Sequence, residues 1–237
     1  MNTFNIITLD KVDSTNRYCK DHIEELNHFD VVFSLNQTSG KGRNDRIWYS
    51  SLDSLTMSIV IKDDYLIDNF SSLSLLSASS VFNGLSKYLK NLSIKWPNDI
   101  YCGDKKISGI LLESISFDRI IGLVIGIGIN INNRDIIVND RLTTSLFLET
   151  NKLYSIEEIR EEILNEFYKL IIDFKNGNKK YLEIVRDNNY LKGKIGHVNI
   201  NNTYVEAKIL NILDNNKLLV EYNNSTFQID TDEINIK

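Results

Sequence analysis

The spacing of apolar and polar positions changes several times along the chain, and each change predicts an element. Residues 4–9 are a short β-like run that leads into Asp13-Ser14-Thr15-Asn16, a cluster of capping residues. A charged amphipathic stretch follows to about residue 27, so the order predicts strand, capped turn and helix. Residues 31–35 are β-branched or apolar and predict a second strand, whereas 37–51 are polar, glycine-containing and locally basic, as an extended loop would be. Residues 55–61 alternate apolar with polar in the manner of a half-buried strand. Residues 72–89 recur at helical spacing, with small side chains from Ser77 to Ser80 that allow close packing, and predict a buried helix.

Short strands are predicted at 93–96 and 99–102, then a turn at Gly103-Asp104 and strands at 106–114 and 120–131. Their connections are too short for crossover helices, which makes this an antiparallel meander. Residues 155–174 open with a capping box, Ser155 with Glu158, and continue with Ile156, Ile159, Ile163, Phe167 and Leu170 at helical spacing. A second helical piece covers 179–187. From residue 191 the texture becomes β-rich, with runs at 194–200, 204–210, 217–222 and 226–230 separated by Asn-Asn or Asp-Asn pairs that suit turns. A small β-barrel or sheet of SH3-like size is expected there.

Composition narrows the function classes. The 237 residues, 42% hydrophobic and 25% charged, describe an ordinary globular chain: one large domain, or one domain with a small appendage. A net charge of −5 argues against a general nucleic-acid binder or a polybasic membrane-surface protein. Cys19 and Cys102 lie far apart without metal-ligand spacing, so neither a disulfide framework nor a structural zinc site is suggested. His22, His28 and His197 are scattered and suggest no histidine chemistry. The start lacks a signal-peptide pattern, and the most apolar run, 120–131, is too short to span a bilayer. A cytoplasmic protein is expected.

Three segments carry chemistry. Between Gln37 and Trp48, the cations Lys41, Arg43 and Arg46 face one acid, Asp45, on a loop whose Gly40 and Gly42 let backbone approach a ligand. Such a loop suits a phosphate or carboxylate, or is simply a solvated basic loop. Lys95-Trp96-Pro97-Asn98-Asp99 holds the only proline; it stops a strand abruptly and either aims Lys95 into a cavity or leaves it a surface lysine. Gly126-Ile127-Gly128-Ile129-Asn130 puts two glycines on one strand face, leaving a trench for a ligand or room for a neighbouring side chain.

In this order, Ser14-Thr15-Asn16, Gly40 to Trp48, Lys95 to Asp99, Lys106 to Glu113 and Gly126 to Asn130 closely resemble the catalytic domain of biotin–protein ligases. The likeness runs from about residue 6 to 150, and the β-rich tail matches that family's C-terminal module in position and size. The resemblance implies an α+β fold: a mixed, mainly antiparallel sheet flanked by helices, of the class II synthetase-like biotin/lipoate ligase type, with a small C-terminal SH3-like β-barrel. The implied division is a catalytic domain over 1–188 and a β domain over 189–237.

It also implies a two-step reaction. Biotin and ATP give biotinyl-5′-adenylate and pyrophosphate, and a lysine of a biotin carboxyl carrier protein or domain then takes the biotin. Lys95 and Arg43 become the catalytic candidates, since two anions must meet in the first step. The biotin-binding set is Ser14, Thr15, Asn16, Gln37, Gly40, Lys41, Gly42, Arg43, Lys95, Gly109, Gly126 and Gly128. Arg46, Trp48, Asn98 and Asn130 would bind ATP, and Thr143-Thr144-Ser145-Leu146 fits an element capping the nucleotide. No acidic cluster has metal-ligand spacing, so Mg²⁺ is expected to arrive with ATP rather than in a protein cage.

Two positions depart from the family pattern. Lys41 stands where arginine is usual and Asp45 where glycine is usual, which implies weaker retention of the adenylate. The alternatives are a lipoate or octanoate ligase of the same fold and a non-catalytic biotin sensor. With a strand beginning near residue 4, no N-terminal DNA-binding module is expected, so the reading is a monofunctional ligase with neither DNA nor a membrane as partner. Relatives dimerise through the central sheet, but no feature of the sequence decides that.

Overall fold

A computed structural model of the chain describes residues 3–44, 46–136, 142–230 and 234–236. The first half runs β1 (Asn5–Leu9), α1 (Thr15–Asp21), β2 (Asp30–Ser34), β3 (Gly40–Lys41), β4 (Ile47–Trp48), β5 (Ser54–Ile61), α2 (Asp64–Asp68), α3 (Phe70–Leu85), β6 (Leu92–Lys95), β7 (Asp99–Cys102), β8 (Lys105–Ser116) and β9 (Ile120–Asn130). Then come α4 (Leu146–Thr150), α5 (Ile156–Lys175), α6 (Lys180–Asp187), β10 (Ile195–Ile200), β11 (Thr203–Ile212), β12 (Leu218–Tyr222), β13 (Ser225–Ile229) and β14 (Asn235–Ile236).

Seven strands form one sheet in the order β1-β2-β5-β9-β8-β7-β6. Only β1 and β2 pair in parallel, joined across α1; the other pairings are antiparallel, and from β6 to β9 the short connections require it. Two-residue alternation sends Leu55, Met57, Ile59 and Ile61 of β5 and Leu123, Ile125, Ile127 and Ile129 of β9 into the main core with α3 and α5. On the opposite face, Val60 and Val124 join Cys19, Ile23 and Leu26 in a smaller core at α1. Beyond those valines the same face turns polar and bare. Ser58 stands opposite Gly126, Thr56 opposite Gly128, and Ser54 opposite Asn130.

The helices follow the expected logic. Ser77, Ser79 and Ser80 are fully buried in α3, their hydroxyls returning to carbonyls one turn earlier. Gly84 lets α5 approach so closely that a Cβ there would lie 2.8 Å from Ile163. Ser155 caps α5, accepting from the Glu158 N–H at 3.1 Å, and all five predicted apolar positions of that helix are buried. Two boundaries differ: the helix expected over 72–89 is Phe70–Leu85, and α1 stops at Asp21, after which Asp30 accepts from the Asn27 N–H, turning the chain toward β2. Two short helices were not expected, α2 and α4, capped by Asp63 and Ser145 respectively.

The C-terminal strands form a five-stranded antiparallel sheet, β13-β12-β11-β10-β14. It curls so that β13 touches β10, although among the described residues no ladder closes it into a barrel. The Asn-Asn turns do adopt left-handed backbone, at Asn201, Asn202, Asn223 and Asn224. Val198, Ile209 and Leu218 belong to the same apolar core as α3 and α5, so this sheet is packed firmly onto the rest. Among the described residues no helix is long and apolar enough to cross a membrane.

Candidate functional site

The polar, glycine-bearing face of β5 and β9 is the floor of a cleft of about 620 Å³. At its inner end Ser14 caps α1, and Thr15 and Asn16 are buried in the first turn. Gln37 Oε1 accepts from the Thr15 N–H at 2.9 Å, and the Ser58 hydroxyl lies 2.7 Å from Thr15 Oγ1 and 2.6 Å from Asn16 Oδ1. The Asn16 amide donates to Glu113 at 2.8 Å, and Glu113 in turn pairs with Lys20 at 2.6 Å. With Glu113 and the Leu111 carbonyl on its nitrogen, Asn16 has a fixed orientation. This end offers a linked set of neutral donors and acceptors out of water.

Each glycine answers to a close neighbour. A Cβ at Gly126 would lie 2.2 Å from Asn16 Oδ1, and one at Gly128 would lie 2.4 Å from the Trp48 ring. The trench is therefore partly filled by this protein's own side chains: Asn16 stands over Gly126, and the indole over Gly128 and Gly109, which face each other in register. Trp48 Nε1 is buried there with no hydrogen-bond partner among the described residues. Gly40 does not line the cleft; it admits Gln37 and the Trp48 carbonyl at close range in the β3–β4 hairpin.

The outer end is cationic. Lys41, Arg43, Arg46, Lys95 and Lys106 line it, against the carboxylates of Asp99 and Asp104. Lys95 ends β6, so the Trp96-Pro97-Asn98 turn sets it at the cleft, with its Nζ 5.4 Å from the centroid of the Tyr101 ring. The Trp96-Pro97 bond is cis. Arg43 reaches Asn98 Oδ1 at 3.3 Å, tying the basic loop to this turn, and Asn98 is held by the Ile110 carbonyl at 2.7 Å. Asn130 donates to the Thr144 carbonyl at 3.0 Å, and Thr143 lines the cleft while Ser145 caps α4. Asp45 lies outside the described residues.

The biotin- and ATP-binding candidates other than Gly40 thus converge on one cleft, and of the 143–146 element only Thr143 lines it. Others join them that the sequence reading left without a role. Thr56 and Ser58 are in the polar phase of a strand; register opposite Gly128 makes Thr56 part of the floor, and register opposite Gly126 puts Ser58 behind it, on Thr15 and Asn16. Lys106 forms a largely buried ion pair with Asp99 at 2.7 Å. It shares a face with Gly109 because the β7–β8 ladder slips between Ile100 and Tyr101; the bulge sends Ile107 to the main core and Lys106 to the cleft. Tyr190 closes the outer wall, stacked on Tyr101 with centroids 4.7 Å apart. Burial, together with its hydrogen bond to Asp104, raises its phenol to about 12. Among the described residues no group of three or more His, Cys, Asp or Glu side chains could hold a metal ion.

The model of the family described as "Biotin/lipoate A/B protein ligase family" matches residues 9–130. The bifunctional ligase/repressor BirA of Bacillus spizizenii is 33% identical over 150 residues, covering 61% of this chain and 46% of its own length. The biotin–[acetyl-CoA-carboxylase] ligase of Paracoccus denitrificans is 29% identical over 127 residues, 52% of this chain and 53% of its own. The chain thus spans about half the length of these curated relatives. A solved structure, the Aquifex aeolicus biotin protein ligase in complex with biotin and ATP, is similar with a TM-score of 0.88 at 25% identity, covering 98% of both chains.

Proposed function

We propose, on the premise that this chain belongs to the biotin/lipoate A/B protein ligase family, that it activates biotin with ATP and transfers it to a lysine of a biotin carboxyl carrier domain. The observation that carries this reading is the continuity of one sheet face from a buried neutral polar pocket to a cation-lined mouth. Biotin has that same polarity along its length: an uncharged ureido head, an apolar chain and a carboxylate.

In the first step a carboxylate oxygen of biotin attacks the α-phosphorus of ATP, and the bond to pyrophosphate breaks. Two anions must approach, and Lys95 and Arg43 supply fixed positive charge where negative charge accumulates. Preorganised donors of this kind lower a barrier by about 3 kcal/mol each. In the second step the carrier lysine's neutral ε-amine attacks the acyl carbon, AMP departs with the bonding electrons, and the amine proton is lost to solvent. Ser14, Thr15, Asn16 and Gln37, with Ser58 behind them, face the ureido head, and Gly109, Gly126 and Gly128 keep the floor low beneath the chain. Lys41, Gly42 and Gly40 shape the loop that wraps the acyl–phosphate junction. Arg46, Trp48, Asn98 and Asn130 serve the nucleotide. Mg²⁺ carried in on ATP would screen its phosphates.

The buried polar end favours biotin over lipoate. A ureido head can add hydrogen bonds to this linked polar set, whereas a dithiolane offers it neither an N–H donor nor a carbonyl acceptor, and a site built for hydrogen bonds discriminates against a ligand that lacks them. A cytosolic setting, where ATP is present and thiols stay reduced, suits the two free cysteines. The test is biotin-dependent ATP–pyrophosphate exchange, followed by intact-mass measurement of a carrier domain incubated with enzyme, biotin and MgATP. Exchange with lipoate but not biotin overturns the substrate. An unmodified carrier beside an active control enzyme overturns the ligase reading in favour of a sensor.

A further inference from the structure

Lys95 stands on β6, the outermost strand of the seven-stranded sheet, where one flank has no sheet neighbour to hold it. The link to the C-terminal sheet occupies that flank. Ile94 donates to the Asn188 carbonyl at 2.8 Å, and Tyr190 donates to the Ile94 carbonyl at 3.0 Å, a parallel bridge centred on Asn189. On the other side of Lys95, Trp96 is 3% exposed, and its indole N–H donates to the backbone carbonyl of Asn216 at 3.0 Å.

Asn216 is built to hold that carbonyl still. It sits between β11 and β12 with left-handed backbone, φ 67°, and both ends of its amide are engaged: Oδ1 accepts from the Tyr181 hydroxyl at 2.8 Å, and Nδ2 donates to Ser72 at 3.0 Å. Both chain neighbours of Lys95 are therefore fixed by residues from position 188 onward. Tyr190 also stacks on Tyr101, the ring beside the Lys95 ammonium. We infer that Asn216 is a positioning residue for Lys95, acting through Trp96, and that the C-terminal sheet thereby sets the alignment of the adenylation step. This rests on the proposed ligase activity. Asn216 touches no substrate in this reading; it fixes the turn from which Lys95 projects.

The test compares Trp96→Phe, which removes the indole donor and shrinks the buried ring, and Asn216→Gly, which keeps the left-handed backbone accessible but removes the side-chain anchors. Tyr204→Ser, at a residue 65% exposed on β11, is the control in the same sheet. Pyrophosphate exchange per active site, titrated by the single-turnover burst of adenylate, is measured beside calorimetric biotin affinity and melting temperature. Displacements of a fraction of an ångström in a reacting group should cost about tenfold or more in turnover per titrated site in both variants, with biotin affinity and the control unchanged. Turnover per titrated site equal to wild type, with only a lowered melting temperature, makes the contact simple packing and overturns the inference. If Trp96→Phe does not fold, Asn216→Gly and Tyr181→Phe decide it by the same readout. Wild-type protein without biotin-dependent exchange refutes the ligase reading itself, and the inference falls with it.

Discussion

Replacing Gly126 by alanine tests whether the inner end of the cleft is organised by Asn16. The added Cβ would lie 2.2 Å from Asn16 Oδ1 and 2.8 Å from its Cγ, so the amide must retreat by more than an ångström to reach ordinary contact. That retreat breaks the 2.6 Å contact with Ser58 and the 2.8 Å bond to the Glu113 carboxylate. One neutral bond at about 1 kcal/mol and one to a charged group at about 2 kcal/mol make a loss of about 3 kcal/mol. Against it stands the gain from stiffening the unfolded chain, about 0.4–1 kcal/mol for a glycine replaced where the backbone permits alanine. Gly126 does not have left-handed backbone, so this gain is real. The clash wins, by about 2 kcal/mol.

Urea unfolding should register that loss, and calorimetry should show biotin bound roughly thirtyfold more weakly, since the displaced amide no longer meets the ligand. Gly128→Ala is the informative partner. Its clash is of the same size, but with the indole of Trp48 on a two-residue hairpin, which can lift away with its loop. Its stability should fall by less than that of Gly126→Ala. The reasoning is refuted if Gly126→Ala keeps wild-type stability and binds biotin within about twofold of wild type, because Asn16 would then not be fixed where its hydrogen bonds put it.

Three further outcomes follow from the same geometry. Lys95→Ala should reduce pyrophosphate exchange by about 10²-fold or more while the circular-dichroism melt stays within error, because a cation facing a cleft is not part of the core. Arg43→Gly should release the adenylate faster, measured as biotin appearing on bystander lysines of serum albumin; labelling confined to the carrier domain would contradict its assigned role. Asp63 caps α2 and pairs with Lys175: burial alone would raise its carboxyl, but the lysine and the Leu66 N–H hold it below its ordinary 3.8. A depressed carboxyl stabilises the fold above that value and loses its contribution as pH falls through the folded pKa. The stability difference between wild type and Asp63→Asn should therefore be constant near neutrality and shrink below about pH 4.

What could be read from the sequence depended on how local the determining physics is. Capping serines and two-residue alternation are local signals, and they located α5 and the longer strands, whereas the cleft residues came from the resemblance of the ordered motifs to a known family. The bulge that turns Lys106 inward requires β7 and β8 to be paired first, so no residue spacing announces it. Ser58 looks like any polar position on a strand until register sets it opposite Gly126. The hold on Trp96 comes from Asn216, in a tail whose asparagines look interchangeable; only this one has its carbonyl on the indole and its amide on Tyr181 and Ser72. Gly40, expected to bring backbone to a ligand, instead admits Gln37 and the Trp48 carbonyl, a difference that depends on the pairing of β3 with β4.

The two faces of the central strands have separate tasks, and that separation explains how a site this polar can exist in a sheet interior. Glycines in mid-strand weaken pairing, and buried hydroxyls and amides are costly unless each finds a partner. On β5 and β9 those liabilities fall at 54, 56, 58, 126, 128 and 130, all on the α1 face, while 55, 57, 59, 125, 127 and 129 carry an unbroken apolar set into the main core. One phase of the alternation supplies most of the apolar burial, and in the proposed function the other faces the ligand. A substitution one residue along the same strand should therefore change its phenotype in kind. Ile127→Ala removes fully packed apolar volume and should lower stability by about 2–5 kcal/mol with little change in biotin affinity, whereas alanine at Gly126 or Gly128 should weaken biotin binding.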